Sequence, residues 1–141
     1  MGRNTDYITV LEGALKIKEI SYIHSEAYQA GELKHGTISL IDKDTCVIAL
    51  ATDKDIVSKL ISNVKEVKSR DSYVILLVRE DLIDDIDSKC YNQIISIPNV
   101  NELVQPILNI IPLQLIAYYV AKKRGCDIDK PRNLAKSVNV E

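Results

Sequence analysis

Lys16 and Glu19 stand three residues apart in a stretch of helical periodicity, which brings a cation and a carboxylate onto one face. Such a pair is commonly only a surface ion pair, contributing roughly 0.2–0.5 kcal/mol. It is also what a proton transfer between neighbouring carbons needs: a carboxylate to carry the proton and a cation to stabilise the enolate oxygen that develops. His35 lies in the polar turn Gly31-Glu32-Leu33-Lys34-His35-Gly36. Imidazole as a class changes charge near neutrality and can serve as acid and base, although a lone loop histidine is more often simply solvated. The third feature is the tail from Asp127 to Glu141, where Leu134, Val138 and Val140 alternate with single charges. An arm docking through those anchors could present Lys136, whose amine can condense with a ketone. Loose terminal residues are the commoner outcome.

Other chemistries lack their residues. There is no GxGxxG, no Walker loop and no serine in a nucleophile elbow. His24 and His35, eleven positions apart, have no metal-ligand spacing. Cys46, Cys90 and Cys126 are scattered and odd in number, which suggests neither a zinc site nor a disulfide framework. They read as buried thiols of a reducing cytosol. No metal and no cofactor are expected.

The elements that must position these residues follow from periodicity. Leu11 to Tyr28 reads as an amphipathic helix stopped by Gly31, and Ile38 to Ile41 as a short apolar segment. Cys46–Ala51, Tyr73–Val78 and Gln93–Pro98 are short apolar runs of the kind found in strands covered on both faces. Between the first two, a helix capped by Thr52 or Asp53 carries Ile56, Leu60, Ile61, Val64 and Val67. The acidic stretch from Glu80 to Asp87 reads as solvated surface. Glu102 to Arg124 is helical in composition, but Pro106 and Pro112 predict a kink or two short helices. The alternation argues for an α/β fold, a three-layer α/β/α sandwich around a mostly parallel sheet. No full strand precedes the first helix, although such sheets normally open with one.

The 141 residues suit one domain, and 46% hydrophobic with 27% charged residues is ordinary globular composition. Without Phe or Trp, the core must be built from Ile, Leu and Val. A net charge of −2 gives no electrostatic case for nucleic acid or an anionic membrane. The longest apolar region, near Ile107 to Val120, is broken by Asn109, Pro112 and Gln114 and falls short of the ~20 residues that span a bilayer. No signal peptide is visible, so the expected location is the cytoplasm.

The stretch Leu11-Glu12-Gly13-Ala14-Leu15-Lys16-Ile17-Lys18-Glu19-Ile20-Ser21-Tyr22-Ile23-His24-Ser25-Glu26-Ala27-Tyr28, the turn Gly31–Gly36 and the closing Asp129-Lys130-Pro131-Arg132-Asn133-Leu134-Ala135-Lys136-Ser137-Val138-Asn139-Val140-Glu141 together resemble the C-terminal part of the glutamine–fructose-6-phosphate aminotransferase (isomerizing) family. The resemblance runs over essentially the whole chain. It implies the second sugar isomerase (SIS) domain of an enzyme that makes glucosamine 6-phosphate from fructose 6-phosphate and glutamine. Residues 1–125 would be that domain, cut short before its first strand, and 126–141 a tail completing the sugar site. By the family pattern Glu19 moves the proton between C1 and C2 with Lys16 assisting. His35 opens the sugar ring, reaching the active site of the neighbouring subunit. Lys136 forms a Schiff base with the open-chain ketone, and Ala135 lends backbone to the sugar pocket. The implied partners are the sugar phosphate, a second copy in a homodimer, and the glutaminase and first SIS domains. The Ser/Thr-rich phosphate loop and the glutaminase cysteine of the family are missing from this sequence, so the chain alone is expected to be inactive. His24 inherits no role. The alternative is a free-standing, non-catalytic SIS module that binds or senses a sugar phosphate; the joint presence of Glu19, His35 and Lys136 tells against it.

Overall fold

In the computed structural model, which describes residues 1–132 and 134, three strands form one parallel sheet in the order β1 (Cys46–Ala51), β2 (Tyr73–Arg79), β3 (Gln93–Ile97). Ala49 stands opposite Leu76, and Leu77 opposite Ile95. Because successive side chains alternate between faces, Val47, Ala49, Ala51, Val74, Leu76 and Val78 point one way. They meet Leu60, Ile61, Val64 and Val67 of helix α2 (Val57–Lys68). Leu50, Leu77 and Ile97 point the other way, under α1 (Asn4–Ser21) and α3 (Gln105–Lys123), where they meet Val10 and Leu113. This is the expected three-layer α/β/α sandwich. Each fully buried aliphatic side chain contributes roughly 1.5–3 kcal/mol, so a core without Phe or Trp is sufficient.

The helix ends differ from the sequence expectations. Helix α1 begins at Asn4 and ends at Ser21, not at Tyr28; Tyr22 then takes a left-handed conformation (φ 58°, ψ 24°) and its N–H donates to the Lys18 carbonyl at 3.2 Å. A left-handed non-glycine residue costs roughly 1–2 kcal/mol, which its side-chain contacts must offset. Residues 22–28 continue without regular structure. Gly31 is not the stop: it makes room for Arg3, whose Nη2 would lie 2.8 Å from a Cβ placed there. Neither Thr52 nor Asp53 caps α2, which starts behind Ile56. Thr52 is drawn to Asp6, and Asp53 accepts the Asp55 N–H at 3.0 Å.

Helix α3 is one continuous element. Pro106 sits in its first turn, where the missing N–H is not needed, and Pro112 lies within it. Packing next to Pro112 holds the helix together: Leu113 is buried against Gly13 of α1, and a Cβ on Gly13 would come within 2.8 Å of Leu113 Cδ1. The segment after Gly36 is a single 3-10 turn, Thr37–Leu40. The acidic stretch is not simply solvated, since Leu82, Ile83 and Ile86 pack against the α2 side of the core. Of the three thiols only Cys90 is buried; Cys46 is exposed and Cys126 half-buried.

Two buried features tie the N-terminal residues to the sheet. The Leu50 N–H donates to the Met1 carbonyl at 3.1 Å, and Gly2 forms a parallel bridge with Gln29, so Met1 runs alongside β1 and residues 28–30 alongside Gly2. At the carboxyl end of β1, the Asp6 carboxylate accepts from the Thr52 hydroxyl (2.5 Å), the Thr52 N–H (2.8 Å) and Asn109 Nδ2 (3.2 Å). Asn109 also donates to Thr52 Oγ1 at 2.7 Å and accepts from Gln105 Nε2 at 3.0 Å. One network therefore pins α1, β1 and α3 together. Burial pushes the Asp6 carboxyl up from its ordinary range, with the Thr52 hydrogen bonds opposing.

Candidate functional site

Lys16 and Glu19 occupy the last turns of α1, and Lys16 Nζ donates to Glu19 Oε2 at 2.7 Å. A second carboxylate, Glu12, lies 3.3 Å from the same ammonium. The hydrogen bond to Glu19 and, next, the bond to Glu12 hold the Lys16 amine above its ordinary value, burial opposing, so it remains a cation at neutral pH. Side-chain exposures of 32% and 28% leave the pair open to a solute while shielding one flank from water. The spacing expectation is thus met in geometry: the Lys16 and Glu19 side chains are in contact on a solvent-accessible face.

His35 ends a one-turn 3-10 element, Leu33–His35, anchored by the buried Leu33. Gly36 follows at φ 150°, ψ −54°, a backbone conformation suited to glycine. His35 is exposed, and among the described residues no hydrogen bond or ion pair joins it to Lys16 or Glu19. His24, given no chemistry by the sequence, is exposed and sits 3.4 Å from Glu26. Lys136 and Ala135 lie outside the described residues.

The root of the tail is fixed. Asp127 Oδ1 accepts the N–H groups of Asp129 (3.1 Å) and Lys130 (2.9 Å), folding the chain back on itself. Cys126 Sγ lies 3.9 Å from the Ser21 carbonyl. The Arg132 N–H donates to Tyr22 Oη at 2.7 Å, and the Arg132 guanidinium carbon is 4.2 Å from the centre of the Tyr22 ring. Sequence reasoning missed Tyr22 because 110 positions separate it from its partner, and no local pattern marks the contact.

The carboxyl ends of the strands, where open α/β sheets usually take their ligands, present mostly acid here. A polar cavity of about 170 Å³ is lined there by Asp6, Asp53, Asp55 and Glu102 with Lys54 and Arg79. Lys54 lies 3.4 Å from Glu102, and Arg79 is held by both oxygens of Asp81 at 2.6 and 3.0 Å. A larger hollow of about 380 Å³ between α1 and the edge of β1 is apolar, lined by residues such as Val10, Ile17, Ile41 and Ile48. The Lys16–Glu19 pair lines neither. Among the described residues no cluster of His, Cys, Asp and Glu could hold a metal ion, and no helix is long and apolar enough to cross a membrane.

Comparison with known proteins supplies a context for this geometry. The sequence profile of the SIS domain matches residues 1–123. The glutamine–fructose-6-phosphate aminotransferase (isomerizing) of Caldanaerobacter subterraneus subsp. tengcongensis is 52% identical over 141 residues, which take in 100% of this chain and 23% of that protein. The same enzyme of Clostridium tetani is 53% identical over 141 residues, again 100% of this chain and 23% of the relative. The chain therefore spans about a quarter of the length of these relatives. Among solved structures, the C-terminal domain of glucosamine-fructose-6-phosphate aminotransferase from Francisella tularensis superposes with a TM-score of 0.87 at 38% identity, covering 92% of this chain and 36% of that one.

Proposed function

Since this chain belongs to the SIS domain family, we propose that it is the isomerase domain of a glutamine–fructose-6-phosphate aminotransferase and carries the ketose–aldose isomerisation of a sugar phosphate. The observation that carries this reading is the 2.7 Å contact between Lys16 and Glu19 on an accessible turn. Glu19 takes the proton from C1 of the open-chain sugar and returns it to C2, with the Lys16 ammonium beside it assisting the transfer. Lys136 condenses with the C2 ketone, losing water as the imine forms, and Ala135 backbone lines the sugar. His35 opens the ring; its exposure and its separation from Glu19 in hydrogen-bonding terms fit a role in a neighbouring copy, within a cytoplasmic homodimer. The substrate phosphate and the ammonia are handled by portions that the relatives carry beyond the matched quarter.

The test is a chimera in which this chain replaces the matching segment of the Caldanaerobacter relative, which is identical at 52% of positions. Glu19→Gln keeps size and hydrogen bonding but removes the base, so turnover of fructose 6-phosphate is expected to fall by about 10²–10⁴ with sugar-phosphate binding retained. Turnover within a few-fold of the unsubstituted chimera would take Glu19 out of the mechanism.

A further inference from the structure

We infer that Tyr22 is a positioning residue: it clamps the root of the C-terminal tail against the end of α1, and so limits how far the chain that follows, with Lys136 four residues on, can stray from that helix end. The inference rests on the isomerase reading for its consequence, but its geometry stands independently. Two groups of one residue are engaged at once. The Arg132 backbone N–H ends on Tyr22 Oη at 2.7 Å, and the Arg132 side chain lies over the face of the same ring at 4.2 Å. The Cys126 contact to the Ser21 carbonyl fixes the chain on the same helix end a few residues earlier. Tyr22 can reach outward in this way because its left-handed backbone ends α1, instead of carrying the helix on as the sequence pattern suggests.

Covalent geometry turns this clamp into a constraint on chemistry. Lys136 follows Arg132 by four residues, so its Cα stays within about 13–14 Å of the Arg132 Cα whatever path the chain takes. Tyr22 follows Glu19 by three residues, roughly one helical turn. An amine tethered this way meets a carbonyl bound beside Glu19 at a much higher effective concentration than one on a free arm. The role differs from that of Lys136 itself: Tyr22 touches the tail and acts through it.

The experiment has two arms. In the first, the 141-residue chain is treated with trypsin and cleavage after Arg132 is followed; Lys130 is protected by the following proline and provides no competing cut. Tyr22→Leu removes ring and hydroxyl and is expected to speed this cleavage about tenfold. Tyr22→Phe keeps the ring and is expected to speed it about threefold, all digestions being run well below the thermal midpoint of each protein. In the second arm, the chimera described above is given saturating fructose 6-phosphate and cyanoborohydride, which reduces the imine on Lys136 to a secondary amine. The initial rate of labelling is expected to fall about tenfold in Tyr22→Leu and to be partly restored in Tyr22→Phe.

Unchanged cleavage after Arg132 in Tyr22→Leu overturns the clamp. Faster cleavage with unchanged labelling overturns the positioning role. Absence of labelling in the unsubstituted chimera sinks the isomerase reading, and with it the purpose assigned to the clamp, while the cleavage arm still reports on the contact itself.

Discussion

Gly13→Ala probes how closely the layer that carries Lys16 and Glu19 is packed. A methyl group at this position lies 2.8 Å from Leu113 Cδ1, 3.1 Å from its Cβ and 3.2 Å from its Cγ, all inside ordinary contact distance. Leu113 is 2% exposed and cannot swing into solvent. Forcing a methyl into such a contact costs about 1–3 kcal/mol. Replacing glycine by alanine within a helix returns about 1 kcal/mol through propensity. The net loss is therefore about 1 kcal/mol, with α1 pushed away from α3. Leu113→Ala alone costs about 3–4 kcal/mol through lost burial and the cavity left behind. With Cγ and Cδ1 gone, only the Cβ contact at 3.1 Å remains, which a shift of a few tenths of an ångström relieves, and the alanine at 13 keeps most of its propensity gain. The same substitution then becomes stabilising by roughly 0.5–1 kcal/mol. The coupling between the two sites is thus about 1.5–2 kcal/mol and, above all, the sign of the Gly13→Ala effect reverses. Urea denaturation of the four proteins of the cycle measures this directly. If Gly13→Ala has the same effect in both backgrounds, steric contact with Leu113 does not set the spacing of α1 and α3, and the argument fails.

Other substitutions address the buried network. Asp6→Asn places an amide nitrogen toward the Thr52 N–H and is expected to cost about 1–3 kcal/mol, read from the urea midpoint. Its pH dependence has a definite sign. Because burial raises the native carboxyl above its ordinary 3.8, the stability it contributes is full below that pH and is lost as pH rises through the native value. The advantage of the wild type over Asp6→Asn should therefore shrink as pH rises through the acid range; an advantage that grows with pH would contradict burial as the dominant influence. Asn109→Leu removes the donor shared by Asp6 and Thr52 and the acceptor of Gln105, and should lower stability by about 1–3 kcal/mol in the same assay.

Most of the sheet was legible in the sequence because strands covered on both faces must be continuous apolar runs: Cys46–Ala51 was read to the residue, and the other two within one position of an end. The helix ends were not, and for physical reasons. No side chain caps α1 at Arg3, and it closes on a left-handed tyrosine where the composition pointed to a distant glycine. Helix α3 passes through Pro112 because contacts with α1, a hundred residues away, outweigh the local cost. At the site, Lys16 and Glu19 were legible because three residues of helix bring them together with no help from the rest of the chain. Tyr22 was not, since its partner is set by the route of the tail and not by spacing.

The pairing of α1 with α3 also dictates an order of events as the chain folds. Strands β1 to β3 and α2 join neighbours in sequence, so their contacts close short loops and can form while the rest is still being made. Of the elements described, α1 is synthesised ahead of the sheet, yet the surface that buries Gly13 and Val10 is completed by Leu113, which emerges from the ribosome a hundred residues later. Until then the helix bearing Lys16 and Glu19 has only the sheet to rest on. A helix made ahead of the sheet is therefore among the last elements of this fold to become rigid, and its apolar flank needs protection from other nascent chains during that interval.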